Sequence, residues 1–236
     1  MIPLKDDIPS TSVPIITIGL IVLNALVFLY QLSLGASGEP GATQAAEQFV
    51  FEFGAIPCRL TGACGVPDTF PDPAVTVLTS MFVHGGLFHI AGNMLYLWIF
   101  GDNVEDTLGH ARFLLFYVLS GIAAAVGQAV VNPNSGVPMV GASGAISGVL
   151  GAYLLLFPYA RVLTLIIVMF FIRFVYIPAV FVLGFWIIVQ FVNGLLTFSL
   201  AAGRESGGVA WFAHIGGFLG GMALLFVLRP HRPSRL

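Results

Sequence analysis

Charge is scarce in this sequence. Only 8% of its 236 residues are Asp, Glu, Lys or Arg, while 58% are hydrophobic. With a mean hydropathy of +0.97, such a chain is excluded as a soluble domain and reads as a polytopic membrane protein. The formal net charge of −2 gives no basis for a nucleic-acid partner. Cysteine is nearly absent: Cys58 and Cys64 stand close together in a polar segment. They would pair if that segment faces an oxidising compartment and stay as thiols if it does not. No Cys/His cluster has metal-site spacing, so neither a metal nor a cofactor is expected. No secretory leader is expected, because Lys5, Asp6 and Asp7 make a poor basic start and the apolar run behind them is long. That run reads as a retained anchor.

What is present is a series of apolar runs. After an N-terminal segment, residues 1–12, Val13–Leu34 is continuous and long enough to span at about 1.5 Å per residue. Residues 35–74 hold Glu39, Glu47, Glu52, Asp68 and Asp72, which predicts a long polar loop outside the bilayer. A second helix is expected within Val75–Phe100, carrying His84, His89 and Asn93, followed by a short polar turn over Gly101–Arg112. Further helices are expected at Phe113–Val131, Gly141–Phe157, Ile177–Leu200 and Val209–Leu228, with a small loop at Ala201–Gly208 and a basic tail over 229–236. Val162–Ile172, bounded by Arg161 and Arg173, is too short to span comfortably and reads as interfacial or re-entrant. The expectation is therefore an all-α protein of six membrane helices with a long first external loop.

The basic residues agree with six crossings. With the N-terminus inside, Lys5, Arg112, Arg161, Arg173, Arg229, Arg232 and Arg235 are cytoplasmic, and only Arg59 and Arg204 lie opposite. That asymmetry fits the positive-inside rule and puts both termini in the cytoplasm, as expected for a multi-pass protein of a prokaryotic plasma membrane.

In this topology the second, fourth and sixth helices run the same way, so their polar residues can be placed by depth. Ser143 precedes Pro158 and His214 precedes Leu228 by nearly equal lengths of helix, about 21–22 Å at 1.5 Å per residue. Both then lie about 8 Å below the outer surface of a core about 30 Å thick. His89 and Asn93 are one turn apart on one helix face and point into the same outer half. Small residues at four-residue spacing, such as Gly144/Gly148 and Gly217/Gly221, are ordinary packing seams in lipid, and a lone intramembrane His or Asn often only bonds between helices. Convergence of four polar side chains at one depth is costly in hydrocarbon and points to a site. His84, His110 and His231 lack such placement and are assigned no chemistry.

The chemistry follows from a further absence. All eleven acidic residues fall outside the apolar helix cores, so no carboxylate is at hand to orient His214. A Ser–His dyad remains, with Ser143 as nucleophile and His214 as base. The Ser143 N–H at a helix N-terminus, with Asn93 and His89, would supply oxyanion donors.

These motifs, His89-x-x-x-Asn93, Gly141-x-Ser143-Gly144 and Ala213-His214-x-x-Gly217-x-x-x-Gly221, resemble those of the rhomboid intramembrane serine proteases. The similarity runs from about Thr79 to Leu228. It implies a single rhomboid-like domain in which residues 75–228 carry the catalytic helices. It also implies Asn93 and His89 as oxyanion residues, substrates that are transmembrane proteins cut within or near a membrane helix, and membrane lipid as the surroundings. Asn103-Val104-Glu105-Asp106 and Gly109 also look like the family, with an expected structural role. The chain departs from it at Val75-Thr76, where many members carry Trp-Arg, and at Ser147, where some carry an aromatic that stacks on the histidine. The alternative is a non-catalytic rhomboid-like protein that binds transmembrane clients. A transporter or channel would call for inverted repeats or intramembrane carboxylates, which are not seen.

Overall fold

A computed structural model describes residues 1–36, 42–64, 71–168, 171–200 and 209–230. The expected loop at Ala201–Gly208, Glu39, Asp68, Arg204, His231, Arg232 and Arg235 lie outside the described residues. Among the described residues, helices and strands follow in the order β1 (Ile2–Lys5), α1 (Ile15–Gly35), α2 (Ala42–Phe53), α3 (Pro57–Thr61), α4 (Pro73–Thr79), α5 (Leu87–Leu108), α6 (His110–Val131), α7 (Ser143–Leu156), β2 (Arg161–Val168), β3 (Phe171–Pro178), α8 (Ala179–Leu200) and α9 (Trp211–Leu228). Helices α1, α6, α8 and α9 are long and apolar enough to cross a membrane, and α7 is a shorter apolar helix of 14 residues.

The centre of the molecule is α7. Every residue from Ala145 to Tyr153 is buried, against a core that includes Leu97, Phe100, Phe113, Tyr117, Leu183 and Phe218. Its contact with α9 is made by backbone. A Cβ on Gly221 would overlap the Gly148 main chain, and one on Gly217 would overlap the Gly144 carbonyl. Small residues that let main chains touch are how helices associate without a hydrophobic drive between them.

Four expectations need correction. The fold is not all-α: β1, β2 and β3 form an antiparallel sheet in that order, with β2–β3 paired from Arg161↔Pro178 to Val168↔Phe171. The described residues of Val162–Ile172 therefore lie in two paired strands and form no helix, spanning or re-entrant, while the interfacial reading of the segment is compatible with strands. Its β-branched residues suit strands, and the alternation that buries Val162 and Thr164 but not Leu163 is the period of a strand. The sheet is pinned to the bundle by Asp6, which accepts from the Tyr153 hydroxyl of α7 at 2.5 Å, while Asp7 accepts from the N–H of Arg161 at the start of β2 at 2.7 Å. Burial raises the Asp6 carboxyl above its ordinary pKa.

The second correction concerns residues 35–74, which are folded where described, as α2, α3 and the start of α4. Ala55 and Met139 exchange both backbone hydrogen bonds, at 3.0 and 2.8 Å, and the Cys58 N–H donates to the Ser135 carbonyl at 3.0 Å. Cys58 and Cys64 are joined by a disulfide. Third, the single helix expected within Val75–Phe100 is two, α4 and α5, with Ser80–Gly86 between them.

Fourth, the polar turn expected at Gly101–Arg112 is helix up to Leu108, then Gly109 at φ +81°, then α6. Glu105 is fully buried there because it caps α1. Its carboxylate accepts from the Ile16 N–H (2.9 Å), the Thr17 N–H (2.8 Å) and the Thr17 hydroxyl (2.7 Å), and His110 Nδ1 lies 2.6 Å away. The first amides of a helix have no partner within it, and an anion is favoured at that end. At the other end of α1 the Gln31 amide donates to the His84 carbonyl at 2.6 Å and accepts from its N–H at 3.2 Å.

Candidate active site

The approach to α7 is a tight turn. Gly141 has φ +114°, a conformation that disfavours side chains, and a Cβ there would stand 2.6 Å from His89 Nε2 and 3.3 Å from Asn93 Nδ2. Its N–H donates to the Ser80 carbonyl at 2.8 Å. Ser143 follows as the first residue of α7, so its N–H belongs to the turn that has no acceptor within the helix.

Ser143 Oγ lies 2.8 Å from His214 Nε2. The two come from α7 and α9 across the glycine seam. The start of α9 is fixed from α6, where Gln128 Oε1 accepts from the Ala213 N–H at 3.2 Å. His214 Nδ1 lies 2.8 Å from Gln190 Oε1 on α8, and Gln190 Nε2 donates to the Trp186 carbonyl at 3.2 Å. Ser147, at the position that departs from the family pattern, donates instead to the Ser143 carbonyl at 2.6 Å. The aromatic neighbours of the imidazole come from elsewhere: Trp186, with ring centres 5.8 Å apart, and Trp211, at 6.4 Å and edge-on.

On α5, His89 Nδ1 accepts from the Gly85 N–H at 3.3 Å, which leaves its proton on Nε2. Asn93 is buried and its Nδ2 has no hydrogen-bond partner. Both face one cavity of about 1350 Å³, lined also by Phe88, Gln128, Ser143, Trp186 and His214. A buried amide donor without an acceptor is costly, and here it looks into the space beside Ser143. Ser143, His214, His89 and Asn93 are thus brought together. His84 stands behind them with its Nε2 3.5 Å from the Ala142 N–H, and His110 is on α6, paired with Glu105. Among the described residues no group of three His, Cys, Asp or Glu is placed to hold a metal ion.

Gln190 is the site residue that the sequence reasoning missed. Its signal was an amide within the apolar run Ala179–Leu200, where Gln190 and Asn193 stand three residues apart, and intramembrane polar groups are expensive enough to be worth placing.

Residues 72–231, more than half of the chain, match the family model described as the Rhomboid domain. The chain belongs to the rhomboid family. It is 45% identical over 78 residues to the Rhomboid protease GluP of Bacillus subtilis, covering 33% of this chain and 15% of that protein. It is 36% identical over 98 residues to Rhomboid protein 1, mitochondrial, of Saccharomyces cerevisiae, covering 38% and 27%. It is also 33% identical over 156 residues to RHOMBOID-like protein 1 of Arabidopsis thaliana, covering 65% and 35%. The match thus spans well under half the length of each of these relatives. Rhomboid membership and the apolar helices make this an integral membrane protein.

Proposed function

We propose that this rhomboid is an intramembrane serine endopeptidase that cleaves transmembrane proteins within or near the outer end of a membrane helix. The observation that carries the reading is the 2.8 Å contact between Ser143 Oγ and His214 Nε2 beside a cavity that the polar side chains of His89, Asn93 and Gln128 also line. His214 Nε2 takes the hydroxyl proton as Ser143 Oγ attacks the scissile carbonyl carbon. The oxyanion so formed is met by the Ser143 N–H, the unpartnered Asn93 amide and His89 Nε2–H. The proton on His214 then passes to the leaving amine, and water releases the acyl group by the same steps in reverse order.

The membrane arrangement belongs to the same reading. Six crossings, by α1, α5, α6, α7, α8 and α9, put both termini in the cytoplasm of a prokaryote and make the chain one membrane domain. The disulfide supports this orientation. It joins Cys58 of α3 to Cys64 beyond that helix, and the Cys58 N–H is tied to Ser135, which lines the cavity; disulfides persist on the oxidising side. The shortness of α7 supports the depth, because 14 residues make about 21 Å, less than a core of about 30 Å.

The direct test is labelling by a serine-directed phosphonate. Wild type should be labelled at Ser143 and Ser143→Ala should not. Labelling elsewhere, or none, would favour a protein that only binds transmembrane clients. Asn93→Ala and His89→Ala should each lower kcat by up to about 10²–10³, as for loss of one oxyanion donor, while still accepting the phosphonate. Wild-type turnover in both single variants and in the double would return these side chains to packing.

The depth of Ser143 also bears on what is cut. A helical substrate hides its scissile carbonyl in i→i−4 hydrogen bonds, and unwinding in hydrocarbon strands backbone groups at several kcal/mol each, whereas a polar cavity satisfies them. Substrates with Gly or Pro near the cut should be favoured because they unwind most cheaply. Replacing such a pair by Leu-Leu should slow cleavage strongly without blocking insertion, with mass spectrometry placing the cut in the outer third of the helix. A cut in the cytoplasmic half would count against the mechanism.

A further inference from the structure

The imidazole of His214 has two nitrogens, and only one faces Ser143. For Nε2 to accept the serine proton, the imidazole must carry its own proton on Nδ1, and in an apolar bundle that N–H requires an acceptor. Among the described residues no carboxylate is in contact with it. The acceptor is Gln190 Oε1, 2.8 Å from Nδ1.

An amide can point either end at a neighbour, so the orientation of Gln190 decides the matter. The Trp186 carbonyl can only accept, and it lies 3.2 Å from the other end of the amide. The NH₂ must therefore face Trp186, one helical turn back on the same helix. Oxygen then faces His214, and Nδ1 must be the protonated nitrogen. Nε2 is left with its lone pair toward Ser143 Oγ at 2.8 Å. The chain of donors runs in one direction, from Ser143 to His214 to Gln190 to the Trp186 carbonyl. Gln190 is itself 5% exposed, so water does not compete for the contact.

We propose that Gln190 is the positioning residue of this site, a neutral amide on α8 that fixes the reactive tautomer of His214 and steadies the imidazolium formed as Ser143 gives up its proton. The proposal rests on the protease reading for its catalytic consequence but not for its structural one. Being uncharged, Gln190 costs far less to hold in an apolar bundle than the carboxylate of a hydrolase triad. Its effect should be correspondingly smaller than the loss of about 10⁴ that follows a wrong tautomer when an ionised partner is replaced.

The test is Gln190→Met, which keeps length and volume but removes the acceptor, with Gln190→Glu as the restoring variant. In the purified full chain, ¹⁵N-histidine NMR should show His214 as a single Nδ1–H tautomer in wild type and as a mixture in Gln190→Met. The variant should lose about 10- to 100-fold in kcat with KM little changed, less than the roughly 10²–10⁴ contributed by a positioned acid–base group itself, because Gln190 acts through His214. The acid limb of its kcat/KM profile should move to lower pH, because the imidazolium has lost an acceptor. Gln190→Glu should recover the tautomer and move that limb to higher pH. A wild-type tautomer, turnover and pH profile in Gln190→Met would overturn the proposal, as would a His214 that carries its proton on Nε2 in wild type. The two readings separate: an inactive wild type that is not labelled by phosphonate but shows the Nδ1–H tautomer, lost in Gln190→Met, sinks the protease and leaves the positioning role standing.

Discussion

Ser143→Ala and His214→Ala should each reduce cleavage of a reporter transmembrane substrate by at least about 10⁴-fold, the scale on which members of a serine-hydrolase unit act. The alcohol has no replacement. Ser147, the next hydroxyl on α7, is fully buried and spends its proton on the Ser143 carbonyl, so it cannot stand in. Nor can His89 replace His214, because its Nδ1 is held by the Gly85 N–H. The double variant should be no worse than either single one, since both remove the same step. Thermal unfolding should change little, because Ser143 and His214 line a cavity rather than fill a core. Substantial cleavage by purified Ser143→Ala would end the dyad assignment.

The second large effect is expected far from any reacting atom. Gly221→Leu, about two turns below His214 on α9, should remove activity and lower thermal stability together. The ideal Cβ at this position overlaps the Gly148 backbone, which has no rotamer by which to yield, so α7 and α9 must separate. Overpacking of this kind costs about 1–3 kcal/mol and sometimes more. Displacing catalytic groups by about 1 Å can cost 10²-fold even when they are intact. Gly220→Leu offers a contrast. Its Cβ would meet only the Ala123 methyl group on α6, so the α7–α9 spacing should survive better. Measuring cleavage and melting temperature for both variants checks the claim, and equal, mild losses would refute it.

The parts of the site that sequence disclosed were those whose chemistry is local. Gly141 before Ser143, and His89 four residues from Asn93, need only helix geometry to be read, and helix lengths were enough to put Ser143 and His214 at one depth. Gln190 was missed because the question asked of the sequence was where a carboxylate stood, and a neutral acceptor answers the same need. Its importance also depends on which face of α8 meets α9, which an apolar run on all sides does not reveal. Glu105 was misread for a related reason. A carboxylate suggests solvent, yet here the unpaired amides at the start of α1 form its shell, and those amides come from a helix nearly ninety residues earlier. The hairpin was misjudged on length alone, although the β-branched residues between Arg161 and Arg173 carried the strand signal. Its pairing with Ile2–Lys5 is a long-range contact that no local pattern announces.

The bond between Gln190 and His214 joins two helices with different freedoms. Helix α9 is wedged against α7 by main-chain contact and cannot drift without losing the bundle, whereas α8 faces outward along Phe181, Phe185, Ile188 and Leu195. Any shift of α8 away from α9 must stretch this bond, and so loosens the imidazole. The coupling is reciprocal, as equilibrium linkage requires. Whatever steadies the imidazole also draws α8 inward, and the formation of an acyl-enzyme or a phosphonate adduct should therefore tighten the flank of the protein that faces lipid.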